Sequence, residues 1–356
     1  MTGAGVPGRA AVFRHGGFRR YWIAMILTGF ALQMQTVAVG WQVYDLTRDP
    51  FDLGLVGLSQ FAPALALVLV TGAVADRFSR RRILGLCLSV QAACATGLLL
   101  IAWGGGQSAL PIFGLLIVFG AARAFYNPAR QAIVPNLVPP DELPRAIAVA
   151  STGSQIATIC GPVAGGLLYG VAPAAAYGGT LTFLIAAAAL FVSIPQPEQR
   201  HAAKGMSWQA ISAGIRYIWS EKVVLGAISL DLFAVLLGGA TALLPVYARD
   251  VLEVGPTGLG FLRSAQAVGA IAVGGWLIAR PVSDNAGKVM FASVMGFALF
   301  TLIFALSETL WISVAALALM GGADMISVNI RGNLIQLWTP DELRGRGNAV
   351  NQVFIG

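Results

Sequence analysis

Four charged residues stand inside long apolar stretches of this chain: Arg123, Asp231, Arg263 and Asp324. If these stretches lie in lipid, an unpaired charge at their centre costs about 2.5–3.5 kcal/mol, so such side chains normally face a polar cavity or one another. A carboxylate there can take up and release a proton, and a guanidinium can tune its pKa or bind an anionic group. We expect Asp231 or Asp324 to carry a proton. The alternatives are a static structural pair or, for Arg123, a side chain that reaches the membrane surface.

Neutral polar side chains occupy the same stretches and could line a path for a solute. Amide side chains both donate and accept hydrogen bonds, which suits them to a polar cavity. Together with the four charged residues, we expect these to form the substrate and proton pathway: Gln33, Gln35, Asn127 and Gln155.

The composition requires that most of the chain lie in a membrane. Hydrophobic residues make up 57% of it and charged residues only 11%, against about 25% charged in a soluble domain. Barrel strands are shorter and alternate in polarity, so the spanning elements are helices. The predicted spans are 20–44, 52–74, 83–103, 109–128, 145–170, 174–194, 223–247, 257–280, 287–306 and 310–333, with an eleventh beginning near 346.

The chain contains an internal duplication. Residues 43–77 align with 246–280 without a gap, and residues 140–143 recur as 340–343. A duplicated bundle with a site between its halves is a common transporter design. We therefore expect an all-α membrane fold of two six-helix bundles with pseudo-twofold symmetry. The predicted parts are an N-terminal bundle (1–194), a cytoplasmic linker (195–222) and an incomplete C-terminal bundle (223–356), giving about eleven of twelve helices and an apparently truncated C-terminus.

Basic residues are distributed unevenly between the loops. With the N-terminus in the cytoplasm, most of the 23 Lys and Arg residues fall on the cytoplasmic side, as the positive-inside rule requires. This explains the net charge of +7 without nucleic acid as a partner.

Cys87, Cys94 and Cys160 lie inside spans with no ligand-like spacing, so we expect no metal site. No Walker sequence or nucleophile–base pair occurs, so we expect neither an enzyme nor a cofactor.

A motif follows the second span, from Gly72 to Arg82. A glycine there allows close helix approach, and an aspartate at a helix end can pair with an arginine in one conformation and release it in another. The predicted gating residues are Gly72, Asp76, Arg77, Arg80 and Arg81. The alternative is a plain basic turn that fixes topology. The duplicated copy has Ala279 in place of Asp76, so the latch is expected on one side only.

Two further segments have architectural signals. One of them, in the fifth span, combines a helix-bending proline with glycines that permit tight helix contact; the alternative is generic packing. It consists of Gly161, Pro162, Gly165 and Gly166.

After the fourth span, the run Asn127 to Arg130 predicts a helix end at Pro128. Arg130 and its copy Arg331 are expected to be architectural, with a gating role against acids of the other half as the alternative.

These motifs resemble known ones. Residues 72–82 are similar to the G-x-x-x-D-R-x-G-R-R loop of the major facilitator superfamily, with Ser79 in place of the second glycine. Residues 161–166 are similar to the G-P-x-x-G-G signature of its proton-coupled antiporters. With the stretches 44–50, 127–132 and 137–143, the chain resembles the enterobactin-exporter-like, transmembrane secretion effector group over nearly its whole length. The resemblance implies a proton-driven exporter of the bacterial inner membrane.

The sequence therefore predicts a secondary transporter that exports a small organic molecule, such as a siderophore, drug or metabolite, in exchange for protons. Its partners would be the solute, the proton and the lipid bilayer, and we expect a monomer. Two alternatives are proton symport for uptake and a non-transporting membrane receptor built on a transporter scaffold.

Overall fold

A computed structural model describes residues 9–195, 226, 229, 241–280 and 285–338. These ranges contain helices and turns but no strand. The helices, numbered in chain order, are α1 (Gly16–Thr47), α2 (Pro50–Arg77), α3 (Arg80–Trp103), α4 (Leu110–Ile133), α5 (Leu143–Val171), α6 (Pro173–Ser193), α7 (Leu244–Val246), α8 (Gly255–Ala279), α9 (Ala286–Ala305) and α10 (Leu310–Trp338). A 3-10 helix (Arg9–Arg14) precedes α1, another (Val134–Asn136) follows α4, and a π-helical turn (Tyr247–Val251) continues α7.

Nine of the described helices are long and apolar enough to cross a membrane, namely α1 to α6 and α8 to α10. They coincide with nine of the predicted spans, with end points that differ by a few residues. The all-α membrane fold predicted from composition is therefore confirmed. Most of the predicted span 223–247, and the one beginning near 346, lie outside the described residues.

The end of α4 differs from the prediction. Pro128 lies inside α4, which continues to Ile133. Proline removes one backbone hydrogen bond, but in membrane helices neighbouring groups can compensate for that loss. The helix ends instead just before the 3-10 turn that contains Pro135. A single proline in an apolar run was therefore too weak a signal for a helix end.

The chain divides into two compact units. The first comprises Met1–Thr47 and Leu58–Gly205. In it α1 packs against α5 and α6, and α3 packs against α4 and α6. Its buried core includes an aromatic group at one end of α1, where Phe191 makes edge-on contacts with Tyr21 and Tyr126, at ring-centroid distances of 6.0 and 6.2 Å. These contacts fix α1, α4 and α6 relative to one another.

The second unit comprises Arg48–Gly57 and Met206–Gly356. Within it α10 packs against both α8 and α9. Glycines allow α8 and α10 to approach closely, since Gly269 faces the Ala318 carbonyl and Gly321 faces the Gln266 carbonyl. The Tyr247 hydroxyl donates a 2.7 Å hydrogen bond to the Ala305 carbonyl at the end of α9. The glycines of α8 and α10 thus allow close packing of the two backbones.

Candidate functional site

A cavity of about 220 Å³ lies inside the first unit, between α1, α4 and α5. Most of its lining is polar, although it is built from membrane-spanning helices. The lining residues are Met25, Thr28, Gly29, Leu32, Gln33 and Thr36 from α1, Arg123, Tyr126, Asn127 and Arg130 from α4, and Ser154 and Thr158 from α5.

Helical periodicity explains why these side chains meet. The six residues of α1 are spaced three or four apart, or follow one another at the edge of the same face, which places them on one side of a helix. The four residues of α4 have the same spacing, and the two of α5 are four residues apart. Each helix therefore presents one polar stripe to the cavity.

The structure brings together three of the residues predicted for the pathway. Gln33, Arg123 and Asn127 all line the 220 Å³ cavity. Gln35 lies beside a second, much smaller cavity that Arg123 also lines. Gln35 is buried, at 3% exposure, and its Oε1 has no hydrogen-bond partner among the described residues.

Gln155 is not part of this constellation. It is exposed on α5, next to Ser154, which does line the cavity. Successive residues of a helix point about 100° apart, so a one-residue difference moves a side chain off the cavity face. Polarity alone put Gln155 among the candidates, and the register of α5 removes it from this cavity.

The sequence reasoning missed several lining residues. Arg130 was treated as an architectural or gating residue, yet it lines the cavity together with Arg123. Their separation of seven residues is two helical turns and could have revealed the shared face. Thr28, Thr36 and Thr158 were overlooked because threonine is common in membrane helices, where its hydroxyl bonds to the preceding turn.

Among the described residues, Arg263 and Asp324 do not line this cavity. Arg263 of α8 and Asp324 of α10 belong to the second unit. The Nε of Arg263 is buried and unpartnered within the described ranges. Asp324 is half-buried. Asp231 lies outside the described residues, so its place in a proton pathway stays a prediction.

The predicted gating segment is partly described. An Arg80 guanidinium nitrogen donates a 2.6 Å hydrogen bond to the Ala132 carbonyl, and one of Arg81 donates a 2.9 Å bond to the Ile194 carbonyl. Arg77 is exposed. Gly72 and Asp76 belong to α2, but the contacts of these two residues lie outside the described part of the structure. Arg80 and Arg81 therefore tie α3 to the ends of α4 and α6, and the latch at Asp76 stays a prediction.

The glycine signature of α5 forms a helix contact with α1. Gly161, Pro162, Gly165 and Gly166 are all buried. A Cβ at position 161 would lie 2.6 Å from the Gln33 Cβ, and one at position 165 would lie 2.7 Å from the Met34 Cα. The missing side chains therefore let α1 approach α5 and place Gln33 at the cavity.

No metal centre is visible among the side chains that the structure describes. No group of three or more His, Cys, Asp or Glu residues comes close enough there to hold an ion. The lining of the 220 Å³ cavity offers guanidinium, amide and hydroxyl groups instead. Such groups can hold a polar solute through hydrogen bonds and charge.

Solved structures with the same fold define the class of protein. A bacterial homolog of the human lysosomal transporter Spinster, in an inward-facing and unoccupied conformation, superposes with a TM-score of 0.75 at 13% identity. The superposition covers 96% of this chain and 79% of that one. A bacterial homologue of the iron transporter ferroportin, also inward-facing, gives a TM-score of 0.70 at 15% identity, covering 95% and 88%. The chain has the major facilitator fold.

Sequence comparison gives the family. The chain matches the transmembrane secretion effector family over residues 8–356 and belongs to it. Enterobactin exporters of Escherichia coli O1:K1 / APEC and of Escherichia coli O139:H28 are each 28% identical to it over 348 residues, covering 94% of this chain and 81% of theirs. The chain is therefore a multi-pass membrane transporter and not an enzyme, as the sequence predicted.

Proposed function

We propose that this transporter exports a small organic molecule, such as a siderophore, drug or metabolite, across a bacterial inner membrane in exchange for protons. The observation that carries the proposal is the polar, arginine-bearing cavity lined by membrane-spanning helices of the first unit. The membership of the chain in the secretion effector family and its similarity to enterobactin exporters support export as the direction of transport.

The transport cycle we propose is alternating access of a central site, with a monomer as the working unit. The six-helix bundle of residues 1–194 and the C-terminal bundle from residue 223 would move against each other, joined by the linker 195–222. The N-terminus would lie in the cytoplasm, as the excess of basic residues in the corresponding loops favours. The glycine-rich contact between α5 and α1 would keep the first bundle rigid during this motion.

The proton would be carried by Asp231 or Asp324. A carboxylate in a membrane span is costly unless it has a partner or a function. Asp324 is half-buried in α10, and no hydrogen bond or ion pair joins it to another described residue. A carboxylate so placed can bind and release a proton without breaking a structural contact. Arg123, Arg130 and the neighbouring amides would hold the solute.

The test is uptake into everted membrane vesicles that contain the chain, with enterobactin, the molecule named for the relatives, as the probe. Export in the cell corresponds to accumulation in these vesicles. We expect accumulation when the lumen is acidified and its loss when nigericin collapses the pH gradient. Accumulation that is indifferent to the gradient contradicts proton exchange.

Substitutions identify the proton carrier. Asp231→Asn or Asp324→Asn should abolish accumulation driven by the gradient. A matched control is Glu308→Gln, because Glu308 is exposed two residues before the start of α10 and its substitution also removes one carboxylate. If both aspartate variants retain full gradient-driven accumulation, the carriers assigned here are wrong.

A further inference from the structure

We propose that the cavity of the first unit binds an organic anion that also carries hydroxyl groups. This inference rests on the export function proposed above and names the chemical class of its substrate.

The charge of the cavity is the first reason. Arg123 and Arg130 both line it, and none of its other lining residues is acidic. No carboxylate of the described residues forms a salt bridge with either arginine. The two residues lie two turns apart on α4, with a rise of about 10 Å along its axis. Two positive groups facing one cavity repel each other in a poorly screened environment, and a bound anion would relieve that repulsion.

The geometry of arginine favours anions whose charge is shared between two oxygens. A guanidinium presents parallel N–H groups that match a carboxylate in a two-point contact. Gln33 and Asn127 lie in the same lining and add amide N–H donors. The lining therefore offers several strong hydrogen-bond donors to a ligand.

Three threonines of the lining supply hydrogen-bond acceptors. The hydroxyls of Thr28, Thr36 and Thr158 each donate a hydrogen bond to the carbonyl four residues earlier, at 2.8, 2.8 and 3.0 Å. Their protons are thus already used, while the lone pairs of their oxygens remain to accept. A ligand that hydrogen-bonds to these oxygens does so with its own donors. Hydroxyl groups on the anion meet that requirement.

The experiment measures binding to the purified full chain in a neutral detergent, by thermal unfolding at constant ionic strength. The probes are 4-hydroxybenzoate, benzoate and 4-hydroxybenzamide, which separate the effect of the charge from that of the hydroxyl group. We expect 4-hydroxybenzoate to bind most tightly, benzoate more weakly and the uncharged amide most weakly. Arg123→Gln and Arg130→Gln should each weaken 4-hydroxybenzoate binding about tenfold, since each removes a charge-assisted contact.

Controls separate loss of binding from loss of folding. Arg123→Lys and Arg130→Lys keep the positive charge and should retain more affinity than the Gln variants. Arg19→Gln removes an arginine that is exposed near the start of α1 and does not line the cavity, so its binding should equal that of the original chain. Each variant must elute as a single species before its binding is compared.

Three results overturn the anion proposal: equal binding of the acid and the amide, equal binding of the two acids, or undiminished 4-hydroxybenzoate binding in both Gln variants. The last would mark binding at surface arginines. Because these measurements need no proton gradient, their failure leaves the export proposal standing. Conversely, enterobactin accumulation that ignores the gradient contradicts proton exchange whatever the anion measurements give.

Discussion

Gly161 of α5 lies so close to Gln33 of α1 that a Cβ added to the glycine would come 2.6 Å from the Gln33 Cβ. Gln33 in turn lines the cavity of the first unit. A residue selected for its resemblance to an antiporter signature thus positions a residue selected independently as part of a solute pathway. The glycine sets how near α1 comes to α5, and through that distance it sets the shape of the cavity.

We therefore expect Gly161→Ala to damage transport and stability together. The added methyl group would meet a Cβ, which cannot rotate away, so α1 and α5 must separate; overpacking of this kind costs about 1–3 kcal/mol. The melting temperature of the purified protein and the gradient-driven accumulation of enterobactin would both decrease. Gly178→Ala in α6 is the control, because a Cβ there meets nothing within 4 Å. If the two substitutions had equal effects, the contact with Gln33 would not limit the cavity.

Met34 of α1 offers a second comparison, between Gly165 of α5 and Gly179 of α6. A Cβ at Gly165 would lie 2.7 Å from the Met34 Cα, whereas one at Gly179 would lie 2.8 Å from the Met34 Cε. The Cα is fixed in the backbone, but the methyl end of a flexible thioether can rotate away. We expect Gly165→Ala to lower the melting temperature much more than Gly179→Ala. The same decrease for both would show that the contact with the fixed Met34 Cα is no more costly than the contact with its flexible methyl end.

The sequence predicted the helices better than their faces. Long apolar runs are direct consequences of bilayer thickness, which is why nine spans were placed correctly. Pro128 misled because one proline costs one hydrogen bond, and the helix persists to Ile133. Polarity does not reveal register, so the sequence could not show that Gln155 lies off the face of α5 that lines this cavity; its place in the pathway stays a prediction. The Arg123–Arg130 spacing was readable as one face, but Arg130 was assigned to another role. The contact of Gly161 with Gln33 depends on two helices far apart in the chain, and a single sequence read alone does not show which helices pack against each other.

Arg80 provides a test of the gating segment. It is buried, with 7% of its surface exposed, and its hydrogen bond to the Ala132 carbonyl joins the start of α3 to the end of α4. A hydrogen bond that involves a charged group contributes about 1.5–3 kcal/mol, so Arg80→Gln should lower the melting temperature clearly. Arg82 is exposed, and Arg82→Gln should have little effect on melting. If the two variants had the same melting temperature, the hydrogen bond of Arg80 would not stabilise the fold. Fixing the membrane topology would then be the only role supported for the basic residues of this segment.

The hydroxyl of Tyr177 and the Oε1 of Gln42 form a 2.5 Å hydrogen bond between α6 and α1. Tyr177 is fully buried and Gln42 is 7% exposed, so neither group can exchange its partner for water. Tyr177→Phe should therefore cost about 1–3 kcal/mol, the penalty for an unsatisfied buried acceptor. Removing that acceptor as well, in the double variant Tyr177→Phe with Gln42→Leu, should recover part of the loss. Thermal unfolding of the two single variants and the double variant forms a cycle that isolates the coupling. If the double variant is destabilised by the sum of the single effects, the two side chains are not coupled and α1 is held to α6 by apolar packing alone.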